Sequence, residues 1–384
     1  METEKVYGME KKFIMQTYDR QSLVVAKGKG CYVYDMRGKR YLDLVGGLAT
    51  CPLGHSNGKL ANIVKSQILK VINASNLYYS EEQVLLAEKL VKLSGLGKCF
   101  FSNSGTESVE AAIKLARKYT GKTDIVAAKN SFHGRTYGSL SATGKEKIKK
   151  GFEPLVPGFT HVDYGNAKLI GGAITQKTAA VILEPIQGES GVVVPPKDYL
   201  KDVRKICDKH GVLLILDEVQ TGVGRTGKFF AYGHEGIKPD IVTLAKGLAN
   251  GIPIGATLAS NKVASGFKPG DHGSTFGGNS LACKAALFTL DFIMKNSLMK
   301  NAEKQGSYLM EKLSKLDGIK NVRGKGLIIG MDIKNAKEVV KKCISKGLII
   351  NSTSESTIRL LPPLIITKKQ IDDSIMILKG VLDD

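Results

Sequence analysis

Two carboxylic acids close a run of apolar residues in Leu213-Leu214-Ile215-Leu216-Asp217-Glu218-Val219-Gln220. Near-continuous apolarity marks a strand covered on both faces, and the carboxyl end of such a strand is where open α/β sheets bind ligands. An acid buried there needs a cation or a strong donor beside it. A protonated pyridine nitrogen is one such partner. A second apolar run, Ile241-Val242-Thr243-Leu244-Ala245, leads directly into Lys246-Gly247-Leu248-Ala249-Asn250-Gly251. A lysine in that position is costly unless its pKa falls or its amine forms an imine, and both suit covalent catalysis. Taken alone, Lys246 is one lysine among many, and a snorkelling surface residue is the ordinary reading.

The third element is Ser102-Asn103-Ser104-Gly105-Thr106-Glu107, which follows an apolar run and opens a helix with Val109, Ala112, Ile113 and Ala116 at helical spacing. Ser104 and Glu107 have the spacing of a capping box. Gly105 and Thr106 then expose free N–H groups at a positive helix end, where a phosphate can sit. By itself this is an ordinary capped helix; the acid and the lysine turn it into a phosphate site.

Two look-alikes fail. Gly222-Val223-Gly224-Arg225-Thr226-Gly227 matches a dinucleotide-binding fingerprint, and residues 222–228 nearly match a P-loop with Phe229 in place of the hydroxyl residue. Neither is followed by a helix, so the segment reads as a flexible Gly-rich loop.

The elements that hold these residues follow a clear order. Strands around turns are expected near Val24-Val25 and Tyr32-Val33-Tyr34, with turns at Gly28-Lys29-Gly30 and Arg37-Gly38-Lys39. Beyond about Gly97 the apolar runs 99–101, 125–128, 179–183, 212–216 and 241–244 alternate with helical stretches, which predicts a mostly parallel sheet flanked by helices. After about residue 285 the chain predicts helices at 309–316, 337–345 and 372–382 and strands at 326–333, 348–350 and 358–361, a smaller α+β domain. The expected division is 1–48 joining the small domain, 49–285 as the large cofactor-binding domain and 286–384 as the small domain.

Composition narrows the partners. The 384 residues carry 56 Lys plus Arg against 36 Asp plus Glu, a net charge of +20. The basic residues are spread along the chain, and the densest cluster, 145–150, has no interleaved aromatics for base stacking. A Lys-rich solvated surface is therefore expected, with no nucleic acid and no membrane partner. Six scattered cysteines without Cys-x-x-Cys pairs argue for reduced, packing thiols and no metal site. The N-terminus has no signal-peptide core and no stretch is apolar enough to span a bilayer, so a cytoplasmic protein is expected.

Assembled, these residues resemble the class III (ω-amino acid) aminotransferases of the type I pyridoxal-phosphate-dependent transferase fold. The likeness runs from Asp35-Met36-Arg37-Gly38-Lys39-Arg40-Tyr41-Leu42-Asp43 to Arg359-Leu360-Leu361-Pro362-Pro363-Leu364. It implies pyridoxal 5'-phosphate as cofactor, with Ser104, Gly105 and Thr106 at its phosphate and Phe132 stacked on the ring. It further implies His133 beside the ring, Asp217 on the pyridine nitrogen, Val219 on the opposite face, Gln220 on the ring-hydroxyl side and Lys246 as the covalent anchor. Thr275, in Gly273-Ser274-Thr275-Phe276-Gly277-Gly278-Asn279, would reach the phosphate of a neighbouring subunit, which implies a homodimer. Substrate contacts are implied at Arg135, Arg359, Glu189 and Ser274. Arg135 and Arg359 would take carboxylates, as planar guanidinium groups do well, and Glu189 would pair with Arg359 when a donor presents none. The implied reaction moves the terminal amine of N2-acetylornithine to 2-oxoglutarate, giving N-acetylglutamate 5-semialdehyde and glutamate. Ornithine, 4-aminobutyrate and acetyl-lysine stay open as donors, because a pocket discriminates one methylene by only about 1–3 kcal/mol.

Overall fold

The computed structural model describes residues 2–383. Its centre is a seven-stranded sheet in the order Lys98–Ser102, Gly255–Ala259, Ile241–Leu244, Leu213–Asp217, Thr178–Leu183, Asp124–Ala128, Phe159–Val162. The last five run parallel, and Gly255–Ala259 is antiparallel to both of its neighbours. The strands Thr178–Leu183, Leu213–Asp217 and Ile241–Leu244 are buried at every position. Alternate residues explain why: Leu213 and Ile215 pack on one face with Val109, Ala112 and Ala116 of the helix Gly105–Thr120. Leu214 and Leu216 pack on the other with Val203 and Leu290.

A second sheet, Ile319–Lys325, Ile328–Ile333, Thr357–Leu360 and Asn351–Ser354, is antiparallel throughout. The helices Leu298–Leu313, Ala336–Ser345 and Lys368–Leu382 accompany it. The N-terminal strands Val25–Lys29, Tyr32–Asp35 and Arg40–Asp43 form a third sheet, completed by Leu348–Ile349 parallel to Arg40–Asp43. The head and tail of the chain are thus joined by backbone hydrogen bonds such as Leu42 N–H to Gly347 O at 2.9 Å.

Several elements differ from expectation. Phe159–Val162 and Gly255–Ala259 belong to the central sheet, yet FTHV and GATLA are short and carry small or polar residues, so neither stands out before its neighbours are present. Ile319–Lys325, IKNVRGK, hides a strand among polar residues, as an edge strand can. The helix expected at 309–316 begins at Leu298, and the last one begins at Lys368, where Thr367 and Gln370 form a reciprocal capping box. The loop at 222–228, expected to be flexible, is largely buried. Arg225 is 3% exposed and donates through Nη1 to the carbonyls of Leu327, at 3.0 Å, and Pro362. Among the described residues no helix is long and apolar enough to cross a membrane.

Candidate active site

The carboxyl ends of Leu213–Asp217 and Ile241–Leu244 meet the first turn of Gly105–Thr120 around a cavity of about 420 Å³. Ten of the residues expected in the site line it: Ser104, Gly105, Thr106, Phe132, His133, Arg135, Asp217, Val219, Gln220 and Lys246.

Asp217 is 4% exposed. Its Oδ1 accepts from the Val219 N–H at 3.0 Å and the Thr243 hydroxyl at 3.1 Å, and its Oδ2 faces His133 Nδ1 at 2.8 Å. His133 Nε2 is buried and has no hydrogen-bond partner among the described residues. The second acid of the pair turns away, as alternation along an extended segment requires. Glu218 accepts from Thr221 Oγ1 at 2.7 Å and the Tyr232 N–H at 2.9 Å. Burial holds its carboxyl up at about 7.

Lys246 opens a 3-10 turn with φ +42, a left-handed conformation unusual for a residue with a side chain. Burial depresses its pKa; the Arg359 charge acts the same way, while Glu189, Asp217 and Glu184 oppose.

At the helix start, Ser104 Oγ accepts from the Glu107 N–H at 3.3 Å. The reciprocal half of the expected capping box is different: Glu107 Oε2 accepts from the Asn103 N–H at 2.6 Å, one residue further out. The N–H groups of Gly105 and Thr106 have no intrahelical acceptor, as at every helix start. A Cβ on Gly105 would come 2.7 Å from Val219 Cγ1, so the backbone approaches the cavity wall as only glycine permits. Thr106 Oγ1 is shared by Ser139 Oγ at 2.6 Å, Thr136 Oγ1 at 2.8 Å and the Arg135 N–H at 3.2 Å. A buried acid, a buried lysine amine whose pKa is depressed by burial, and a helix start free to bind an anion surround a cavity sized for a small aromatic ligand. A phosphorylated pyridine aldehyde fits that donor set.

Arg359 is 2% exposed. Its Nη1 donates to Glu189 Oε1 at 2.6 Å and Gln220 Oε1 at 3.0 Å, and Nη2 donates to Asn351 Oδ1 at 3.2 Å. Its Nε is buried without a hydrogen-bond partner among the described residues. Burial alone would raise the Glu189 carboxyl, but the Arg359 charge, aided by Lys246, holds it down at about 2. Arg135 is exposed, with its guanidinium carbon 5.7 Å from the centroid of the Phe132 ring.

Ser274 and Thr275 lie outside this cavity, in a neighbouring cleft of about 520 Å³ that shares Asn103 with it. Asn103 Nδ2 donates to Ser274 Oγ at 3.2 Å, and Thr275 is exposed. Sequence reasoning missed Glu184, Asn103 and Thr50 on the cavity wall. Glu184 carried the same signal as Asp217, an acid closing an apolar run. Its carboxylate accepts from the Phe132 N–H at 3.1 Å and the Gly188 N–H at 3.3 Å, and burial lifts it to about 7.

The family model "Aminotransferase class-III" matches residues 13–382. The chain belongs to the class III aminotransferases, which are pyridoxal-phosphate-dependent transaminases. Among curated relatives it is 48% identical to the acetylornithine aminotransferase of Archaeoglobus fulgidus, over 96% of this chain and 98% of that one. It is 49% identical to the acetylornithine aminotransferase of Aquifex aeolicus, over 96% of this chain and all of that one. Among solved structures it matches the ornithine aminotransferase of Toxoplasma gondii with a TM-score of 0.96 at 31% identity, covering 100% of this chain and 96% of that one.

Proposed function

We propose that this enzyme transfers the terminal amino group of N2-acetylornithine to 2-oxoglutarate, yielding N-acetylglutamate 5-semialdehyde and glutamate for arginine biosynthesis, as a cytoplasmic homodimer. The observation that carries the reading is the ion pair between buried Arg359 and partly exposed Glu189 beside the cavity. While the pair is closed, the site accepts an amine end without a carboxylate. When 2-oxoglutarate arrives, Arg359 takes its α-carboxylate and Arg135 its distal one. The names of the curated relatives support acetylornithine as donor.

Pyridoxal phosphate, when bound, supplies a conjugated ring that takes up the electron pair left when the donor carbon loses its proton. Ser104, Gly105 and Thr106 would hold its phosphate, with Thr275 contributed across the dimer. Phe132 and Val219 would enclose the ring, and Gln220 and His133 would border it. Asp217 would hold a proton on the ring nitrogen. Lys246 would be the covalent anchor, and its Nζ would be the group that moves the proton. In this reading 1–48 and 286–384 would form the small domain and 49–285 the large one, with Met1 and Asp384 outside the described residues.

The test is a donor panel with 2-oxoglutarate as acceptor and Lys246→Ala as blank. A kcat/KM for N-acetylornithine at least about tenfold above ornithine, 4-aminobutyrate and acetyl-lysine is expected. Equal turnover of ornithine and its acetyl derivative would overturn the donor assignment.

A further inference from the structure

The segment carrying Glu189 is tethered on both sides of that residue. Gln187 and Val193 exchange backbone hydrogen bonds at 3.1 and 3.0 Å, Gly188 N–H donates to Glu184, and Arg323 Nε donates to Gly191 O at 3.0 Å. At Glu189 itself the main-chain carbonyl accepts from Lys145 Nζ at 2.6 Å. The Glu189 side chain, bound through Oε1 to Arg359 and Gln220, is therefore the part of this turn that can move without breaking the backbone contacts.

A dicarboxylate seated on Arg359 must displace that side chain. A displaced carboxylate in a partly buried position is costly unless a second cation receives it. Lys145 is half-buried and, among the described residues, has no carboxylate within ion-pair distance. Glu184 shares its neighbourhood but is already held by the Phe132 and Gly188 N–H groups. An ammonium resting on the carbonyl of Glu189 lies within reach of the side chain of the same residue.

We propose that Lys145 is the second station of the Glu189 carboxylate, receiving it whenever a substrate carboxylate occupies Arg359. Lys145 is thus a positioning residue for the acceptor half of the reaction, and it has no part in the donor half. The inference rests on the assignment of Arg359 as the carboxylate-binding residue. Burial depresses the Lys145 pKa, the nearby arginines add to this, and Glu189 opposes it, so arrival of the carboxylate favours the charged ammonium.

The test uses the cofactor-loaded enzyme and the unreactive dicarboxylate glutarate, titrated by calorimetry, together with the two half-reactions followed separately by stopped flow. Lys145→Met and Lys145→Gln are expected to weaken glutarate and 2-oxoglutarate about tenfold or more while the donor half-reaction changes less than about twofold; Lys145→Arg is expected to restore both. In a Glu189→Gln background Lys145→Met is expected to have no further effect, because no displaced charge remains to be received. A penalty that persists in that background overturns the proposal, as does an equal fall in both half-reactions or unchanged glutarate affinity. If Arg359→Lys leaves glutarate binding intact, the carboxylate-site assignment itself has failed, whatever Lys145 does.

Discussion

His133 Nδ1 lies 2.8 Å from Asp217 Oδ2, with the imidazole side chain 0% exposed and the carboxylate 4%. The imidazole orients the acid, whose other oxygen is fixed by the Val219 N–H and the Thr243 hydroxyl. Replacing His133 by Leu leaves a buried carboxylate oxygen short of a donor, a cost of about 1–3 kcal/mol. Cofactor affinity is expected to fall about ten- to a hundredfold at the same pH, read by retention of bound cofactor absorbance during dialysis. Unchanged retention would show that Asp217 does not need the imidazole.

Gly105→Ala places a methyl group 2.7 Å from Val219 Cγ1. The helix start or Val219 must shift, and the N–H groups facing the cavity shift with it. Weaker binding of pyridoxal phosphate by roughly tenfold is expected from misplaced anion donors. The paired substitution Gly105→Ala with Val219→Ala relieves the clash and should recover part of the loss.

Glu218 should imprint a pH dependence on stability. Its carboxyl titrates at about 7 in the fold, against an ordinary value of 4.5. Below about 4.5 both folded and unfolded chains hold the proton. Between 4.5 and about 7 the unfolded chain releases it first, so stability falls as pH rises, and above about 7 the fall ends. Glu184 contributes in the same sense. Glu218→Gln is expected to flatten the decline of the urea midpoint between about pH 5 and 7.5, and adding Glu184→Gln should flatten it further. An unaltered slope in both variants would place the carboxyl groups elsewhere on the pH scale.

Arg225 is a buried cation whose two Nη1 hydrogen bonds run to the carbonyls of Leu327 and Pro362. Burial lowers its pKa to about 9. Arg225→Met removes the tie to the segment that follows Arg359 by three residues. Lower stability by roughly 1–3 kcal/mol is expected from the carbonyls left short of a donor, with KM for 2-oxoglutarate rising more than KM for the amine donor. Equal changes in both KM values would mean that the tie serves the fold alone.

The meeting of Asp217, Lys246 and the Ser104–Thr106 start in one cavity was readable in the sequence because each sits where a local pattern ends. An apolar run closes on a charge, or a helical period begins at a hydroxyl and a glycine, and both are set by residues within a few positions of one another. Glu184 carried the same signal and could have been read in the same way.

Only the tertiary structure decided the rest. Asp217 and Glu218 are adjacent in the chain, and the fold sends one into the cavity and the other into the opposite packing layer. Residues 222–228 look like a mobile glycine loop until Arg225 finds the carbonyls of Leu327, in the turn between two strands, and of Pro362, just past a third, both more than a hundred residues away. Glu189 and Arg359, 170 residues apart, meet because the antiparallel sheet carrying Thr357–Leu360 packs against the loop that follows Thr178–Leu183, where Ile186 and Val192 share a buried cluster with Ile328 and Leu361. Strands such as Gly255–Ala259 become strands through their neighbours. Local periodicity records which side of an element faces the core; it holds no record of which distant element will supply the counter-charge, and that pairing comes from the packing of whole layers.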